Sequence, residues 1–538
     1  MNWTSPDECR GNADSVRVTA SDAENRAQGH CEMHLGLKAR PRVWPHEPAA
    51  RRSPYKGALF RIADIIEATH RFEAAGKDRA TALERAKLRL NGAHPGDQAY
   101  AEHALEQYFD FHEAREAELG PLVHLGNWTV IPWKQAELGV WGPIYEAADG
   151  VREVRRFRLD RAKRRDTEWA DVAGLVAKET RGARQAEFIH VVELGLMDGL
   201  EYTVANGEDR QAVDRRFAMR GRGAANSVAM GGARKPGWDC ATCKIYATCD
   251  ALIPTPGALQ QVKMAAWTRS ISATGLTRYE TCPAQWHILD EHLPSDRDDS
   301  EAQFRGIAVH AWLKEAHKRR VPCQMADLAE PDANHLGLVE GIVDRPDYQA
   351  AYPYLKNHVE NCSIADLDVR VVAVEETQFC LDKASDVIVA VKPDLIFTQG
   401  STLVVHEVKT TQRLLLPDDA DSARDQYLAV ALNLAVMETG LLEWFNCDRG
   451  ELHLEIITPT GSRTYRYELS DEILMIMARE RVRTATTGWA HDTTWPALPG
   501  PHCTWCPVRR WCPDRDTHTA AADGNLDAKS EDTDTPPF

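Results

Sequence analysis

The chain has 538 residues, 43% of them apolar and 27% charged, and a net charge of −17. That length exceeds what one hydrophobic core usually organises, so two or more domains are expected, and the balance of residues excludes collagen-like, coiled-coil and wholly disordered chains. No apolar run approaches the roughly 20 residues of a membrane span, and the N-terminus MNWTSPDECRGNADSV has no apolar signal segment, so the expectation is a cytoplasmic protein without a membrane partner. The net charge argues against a bulk polyanion binder but leaves room for a local basic groove. Two stretches, 151–165 and 209–223, are candidates for one, or else solvated helix faces.

In chain order, a short extension (1–13) precedes VRVTASDAENRAQGHC, ending at Cys31. KGALFRIADIIEATHRF (56–72) then has helical periodicity. Cys240, Cys243 and Cys249 spell C-x2-C-x5-C behind a glycine. DALIPTPGALQQ (250–261) has the Pro and Gly of a linker, set at 253–265. The same order of features then recurs. RSISATGLTRYETC ends at Cys282, and RGIAVHAWLKEAHKRR (305–320) has helical periodicity from a glycine start. Strands follow at 369–381, 386–398 and 401–411, rich in β-branched residues and bounded by turns. An apolar helix covers 424–440. Cys503, Cys506 and Cys512 repeat the cysteine triplet 263 residues after the first. A period this long is no solenoid; it predicts two tandem copies of one α/β domain, over 14–252 and 266–515. The small, acidic tail 516–538 is expected to be disordered.

Asp394 stands at the start of one strand segment, after Lys392-Pro393, and Glu407-Val408-Lys409 stands on the next. Residues two apart on a strand share a face, so Glu407 and Lys409 project together while Val408 packs inward. If the QGST turn pairs the two strands, Asp394 converges on the same spot. Two carboxylates on rigid strands suit Mg²⁺ or Mn²⁺, and a neighbouring lysine can stabilise developing negative charge. Acidic and basic residues at strand ends are also common simply as solvated groups.

KPD at 392–394 followed by HEVK at 406–409 resembles the PD-(D/E)XK nuclease superfamily. SISATGLTRYETCP (270–283), RGIAVHAW (305–312) and GPHCTWCPVRRWCP (500–513) resemble its RecB/AddB-like branch, including CRISPR-associated RecB-like exonucleases that carry a cysteine-held iron–sulfur cluster. The resemblance implies an α/β fold: a tandem duplication of a restriction-endonuclease-like domain, with a mixed central sheet flanked by helices. It implies a metal-dependent DNA nuclease with His310, Asp394 and Glu407 as Mg²⁺ or Mn²⁺ ligands and Lys409 as catalytic helper. It also places Gln426 on a DNA-contacting helix, where Val430 stands at the position the family gives to tyrosine and Tyr427 is displaced. Single-stranded DNA or DNA ends, in repair, recombination or defence, are the implied substrates. This sequence has no G-x4-G-K-[ST] loop, so a helicase would be a separate partner.

Thirteen cysteines in a cytoplasmic chain point to metal rather than disulfides. One distant cysteine plus C-x2-C-x5-C, as in Cys282 with Cys503, Cys506 and Cys512, is the pattern of the iron–sulfur nucleases, and a [4Fe–4S] cluster is expected in preference to zinc. Cys31, Cys240, Cys243 and Cys249 form a second candidate clamp, with Cys9 an alternative to Cys31. Aligning 141–159 on 391–409 puts Ile144, Phe157 and Leu159 at the places of Asp394, Glu407 and Lys409. The first copy is therefore expected to keep a scaffold and to lack the metal site, its arginine-rich strand serving DNA binding or structure. The alternatives are a non-catalytic iron–sulfur DNA-binding or scaffold subunit and a pair of zinc-stapled interaction domains.

Overall fold

A computed structural model describes residues 3–47, 57–163, 165–263, 267–295, 300–364, 369–413 and 416–515. The tail at 516–538 lies outside the described residues, as do the last residues of the expected linker. The chain divides into two compact units. Unit 1 takes Met1–Ala251 together with Ala284–Asp296 and Thr494–Ala521, and unit 2 takes Leu252–Pro283 and Arg297–Thr493. The boundary differs from the sequence expectation in two places. The segment read as a linker starts with a strand, Ile253–Pro254, paired in parallel with Cys380–Leu381. The C-terminal cysteine triplet falls in unit 1, whereas Cys282 falls in unit 2.

Unit 1 is built on strands β1 (Arg17–Thr19), β2 (Val123–Trp133), β3 (Ala136–Glu146), β4 (Val151–Arg158), β5 (Phe188–Gly195) and β6 (Glu201–Asp209). β1 is parallel to β3, β2 antiparallel to β3 and β3 antiparallel to β4; β4 is parallel to β5, and β5 antiparallel to β6. β1 leads into helix α1 (Ala20–Ala27), where Thr19 and Asp22 form a reciprocal capping box that satisfies two otherwise unpaired N–H groups. Helices α2 (Ala58–Ala74) and α3 (Pro95–Leu119) pack one apolar layer against the sheet, and α4 (Glu168–Glu179) packs against another.

Unit 2 contains β7 (Ile253–Pro254), β8 (Arg269–Ser272), β9 (Val369–Val374), β10 (Gln378–Asp382), β11 (Val387–Val391), β12 (Leu395–Gln399), β13 (Thr402–Thr410), β14 (Arg449–Thr458) and β15 (Gly461–Glu468). Two of the expected strands are thus each divided in two. The succession of pairings repeats that of unit 1: β9 antiparallel to β12, β12 antiparallel to β13, β13 parallel to β14 and β14 antiparallel to β15. A short strand again leads into a helix, β8 into α5 (Ala273–Thr281), and Ser272 caps it. β8 also runs parallel to its sheet neighbour β11, as β1 does to β3. Helix α6 (Glu301–Lys318) begins at the capping box of Ser300 and Gln303, so Gly306 lies inside it and does not start it.

The β12–β13 turn is the expected one, with Gln399 opposite Thr402 and Gly400 at φ 59°. Val404 and Val408 of β13 pack with Leu395 and Phe397 of β12 against α6 and helix α7 (Arg345–Val359). Leu428–Val436 forms α8, whose nearly continuous apolar sequence suits its burial. Among the described residues no helix is long and apolar enough to cross a membrane.

Phe397 is 2% exposed in the layer between sheet and helices. Phe397→Ala is expected to destabilise unit 2 by about 3–5 kcal/mol through lost burial and an unfilled cavity. Urea denaturation measures this, and a loss below about 1 kcal/mol would contradict the packing described.

Candidate active site

β13 alternates. Val408 turns into the core, while Glu407 and Lys409 turn the other way, with Lys409 Nζ 3.2 Å from Glu407 Oε2. Asp394 directly precedes β12 and is brought beside β13 by the antiparallel pairing; its carboxylate accepts the backbone N–H of Val408. From α6, His310 Nδ1 reaches Asp394 Oδ1 at 2.7 Å and Glu375 Oε1 at 2.9 Å. Glu375 directly follows β9, and its own N–H donates to the Asp394 carbonyl. It holds φ at 50°, a region costly for a residue with a Cβ, and Lys392 pairs with its second oxygen.

One cleft of about 840 Å³ contains His310, Glu375, Asp394, Glu407 and Lys409. Its walls also carry Arg278, Arg305, Lys314, Lys392 and Arg413, a concentration of cations in a chain of net charge −17. Gln426 lines the cleft from an exposed position, its amide 3.3 Å from the Tyr427 hydroxyl. The expected single helix breaks here: Ala420–Gln426 ends, Tyr427 is extended at φ −118° and ψ 99°, and α8 begins at Leu428. That break turns Tyr427 into the cleft and leaves Val430 buried in the core.

Burial opposes charge at these groups, and their neighbours decide the outcome. His310 is held up to about 10 because Asp394 and Glu375 outweigh its desolvation. Asp394 is held well below the usual carboxylate range, as His310 and Lys409 overcome the cost of burial. Glu407 is raised, first by burial and then by Asp394, although Lys409 and Asn433 oppose this. Lys409 is raised because Glu407 and Asp394 outweigh its desolvation.

Glu375 and Asn433 were not anticipated. The amide of Asn433 donates to Glu407 Oε1 at 2.8 Å from the apolar helix α8. The only sequence signals are the Glu-Glu pair closing a strand and a lone amide within an apolar run, both common features.

The donor atoms of His310, Glu375 and Asp394 lie within 4.8 Å of one another, whereas Glu407 lines the same cleft outside that group. Carboxylate oxygens with one imidazole make a donor set that fits a hard divalent cation. The closest cationic groups, His310, Lys392 and Lys409, at present balance the negative charge.

Residues 270–513 match the family model of the PD-(D/E)XK nuclease superfamily. No curated protein matches the chain. A solved structure titled "Crystal structure of SSO0001" is 12% identical over 35% of this chain and 84% of its own, with a TM-score of 0.17, too slight a likeness to carry structural weight.

The cysteines divide between the units. In unit 1, Cys31 caps the helix Glu32–Lys38 and accepts the Lys235 N–H at 3.3 Å, and Cys240 accepts the Gly237 N–H at 3.3 Å. Burial pushes Cys240 up to about 11 and Cys243 up to about 12, and the thiols of Cys31 and Cys249 add to both shifts. Cys9 instead sits in a two-stranded ribbon beside Glu8 and Lys244. Cys282 caps the end of α5 in unit 2; in unit 1 Cys503 lies within the 3-10 turn Pro501–Trp505, Cys506 directly follows it, and Cys512 follows the next turn, Arg509–Trp511.

Several arginines of the two basic stretches of unit 1 are engaged in ion pairs. Arg152 and Arg155 are buried against Glu146 and Glu153, Arg156 pairs with Glu24, and Arg158 with Glu193. Arg210, Arg216 and Arg220 are likewise ion-paired, the last two sharing Asp166 and Asp171. The alignment of Phe157 with Glu407 also fails, because Phe157 packs into the apolar layer with Tyr108 and Val192. Arg156 and Arg158 occupy the opposite face of β4.

At neutral pH His310 is an imidazolium in the metal-free protein. Cation binding through its ring requires that proton to leave, so affinity should rise with pH up to about 10. Calorimetry of Mn²⁺ binding near neutral pH, in buffers of different ionisation enthalpy, should show release of about one proton. Binding without proton release would remove His310 from the ligand set.

Proposed function

We propose that this protein is a Mg²⁺- or Mn²⁺-dependent deoxyribonuclease of the RecB/AddB-like branch. It acts on single-stranded DNA or DNA ends, exonuclease-like, in repair, recombination or defence, in the cytoplasm and alongside any separate helicase. The observation that carries this reading is the convergence of His310, Glu375 and Asp394 beside Lys409 in one cationic cleft of the matched segment.

His310, Asp394 and Glu375 hold the cation, with Glu407 completing the set from β13. When bound, the cation supplies the charge that makes water nucleophilic and neutralises the phosphate. Asn433 fixes one oxygen of Glu407 and leaves the other facing Lys409. Lys409 stays protonated, so it donates to the attacked phosphate and stabilises the charge that develops there. Arg278, Lys314 and Arg413 position the DNA backbone, and Gln426 and Tyr427 contact the strand at the edge of the cleft.

Units 1 and 2 are read as tandem copies of one domain, a reading supported by their identical succession of strand pairings. Unit 1 then serves as a structural copy, since the arginines of β4 are ion-paired within it. Cys282 with Cys503, Cys506 and Cys512, and Cys31 with Cys240, Cys243 and Cys249, are read as ligands of [4Fe–4S] clusters. Supporting this in unit 1, the thiols of Cys31 and Cys249 act electrostatically on both Cys240 and Cys243.

Lys409→Ala should lower cleavage of end-labelled single-stranded DNA at least about 100-fold while leaving DNA binding nearly intact. Unchanged cleavage would contradict the site. Anaerobically purified protein should carry about eight irons per chain, falling to about four in Cys240→Ser/Cys243→Ser. Iron that stays at the same level would remove the unit 1 cluster.

A further inference from the structure

A second group of donors lies in unit 2, in the layer between α6, α7 and the sheet. It consists of His317, Cys323, His358 and Cys362, with one donor atom from each lying within 4.8 Å of all the others. All four are buried, His317 at 1% exposure, His358 at 0%, and both cysteines at 7%. His317 stands near the end of α6 and Cys323 in the loop beyond it; His358 stands near the end of α7 and Cys362 just beyond that helix. The sequence pattern is H-x5-C followed by H-x3-C, two compact knuckles presented by the ends of two helices.

The geometry points to a structural zinc ion held by His317, Cys323, His358 and Cys362. His358 Nε2 and His317 Nε2 face each other at 3.3 Å, and Cys362 Sγ stands 3.9 Å from His317 Nε2. Zn–N bonds of about 2.0–2.1 Å and a Zn–S bond of about 2.3 Å in a tetrahedron put two nitrogens about 3.3–3.4 Å apart and nitrogen and sulfur about 3.5–3.6 Å apart. The donors are already close to those separations.

The surroundings fix the required tautomer. His358 Nδ1 donates to Glu455 Oε2 at 2.8 Å, which leaves Nε2 with a lone pair aimed at the group. Glu455 is itself held by His406 Nε2 at 3.2 Å. Without a metal, two imidazole nitrogens and two sulfurs crowd together in this buried space. Two imidazoles and two thiolates around one dication satisfy all four donors and balance the charge of the ion. The set has no carboxylate and lies in a packed core, so it is a closed, structural site, unlike the oxygen-rich group at His310.

The ion ties the end of α6 to the end of α7. His310 lies on α6 two turns before His317, so the same staple holds the helix that carries it into the cleft.

The test is zinc content of the full chain, by mass spectrometry of wild type and of Cys323→Ser/Cys362→Ser purified identically. Loss of one zinc equivalent per chain is expected, and equal zinc in the two proteins overturns the assignment. Because the double variant can fail to fold, zinc K-edge absorption of zinc-loaded wild type provides a second measurement. A coordination shell of mixed nitrogen and sulfur is expected; an all-sulfur shell, or no bound zinc, overturns it.

Discussion

The alternation of side chains along β13 decides where each reactive group of unit 2 lies. Val404, His406 and Val408 face the helical layer, and Glu407 and Lys409 face the cleft. A shift of register by one residue would bury the lysine and expose the valines, so the hydrophobic core fixes the chemistry. The antiparallel pairing with β12 then sets Asp394 against the Val408 N–H, which locks that carboxylate to the strand bearing its partners. His310 and Glu375 arrive from separate elements, and their charges hold one another in place.

Charge is distributed unevenly across the molecule. In unit 1 acids neutralise the arginines of β4 in internal pairs, so that run of basic residues contributes to the fold. In unit 2 several cations remain around one cleft, where a low-dielectric wall lets them act on a polyanion more strongly than their number suggests. The raised His310 and Lys409 and the depressed Asp394 show the same coupling at short range. Mutually dependent charges of this kind cluster at functional sites.

Much of this was legible in the sequence because it depends on periodicity and short turns. The convergence of Asp394 with Glu407 and Lys409 follows from alternation and from the Gln-Gly-Ser-Thr turn. Glu375 was hidden because its role depends on a positive φ beyond a strand end, which no periodicity reports. Tyr427 looked displaced because the sequence reads as one helix; the extended residue between two helices returns it to the cleft. The arginine-rich strand left DNA binding and structure both open, since its partners Glu24, Glu146 and Glu193 are distant in sequence or masked among other acids. The linker was misjudged because two residues, Ile253 and Pro254, are too few to show a strand pattern.

The central claim is that His310, Glu375 and Asp394 form the cation site of a nuclease cleft. Anomalous diffraction from crystals of the full chain soaked in Mn²⁺ tests it directly. The account predicts a manganese peak bounded by His310 Nδ1 and the carboxylates of Asp394 and Glu375, on the Lys409 side of the cleft. A peak bound only elsewhere, or a cleft that stays empty of manganese at saturating concentration, would contradict it.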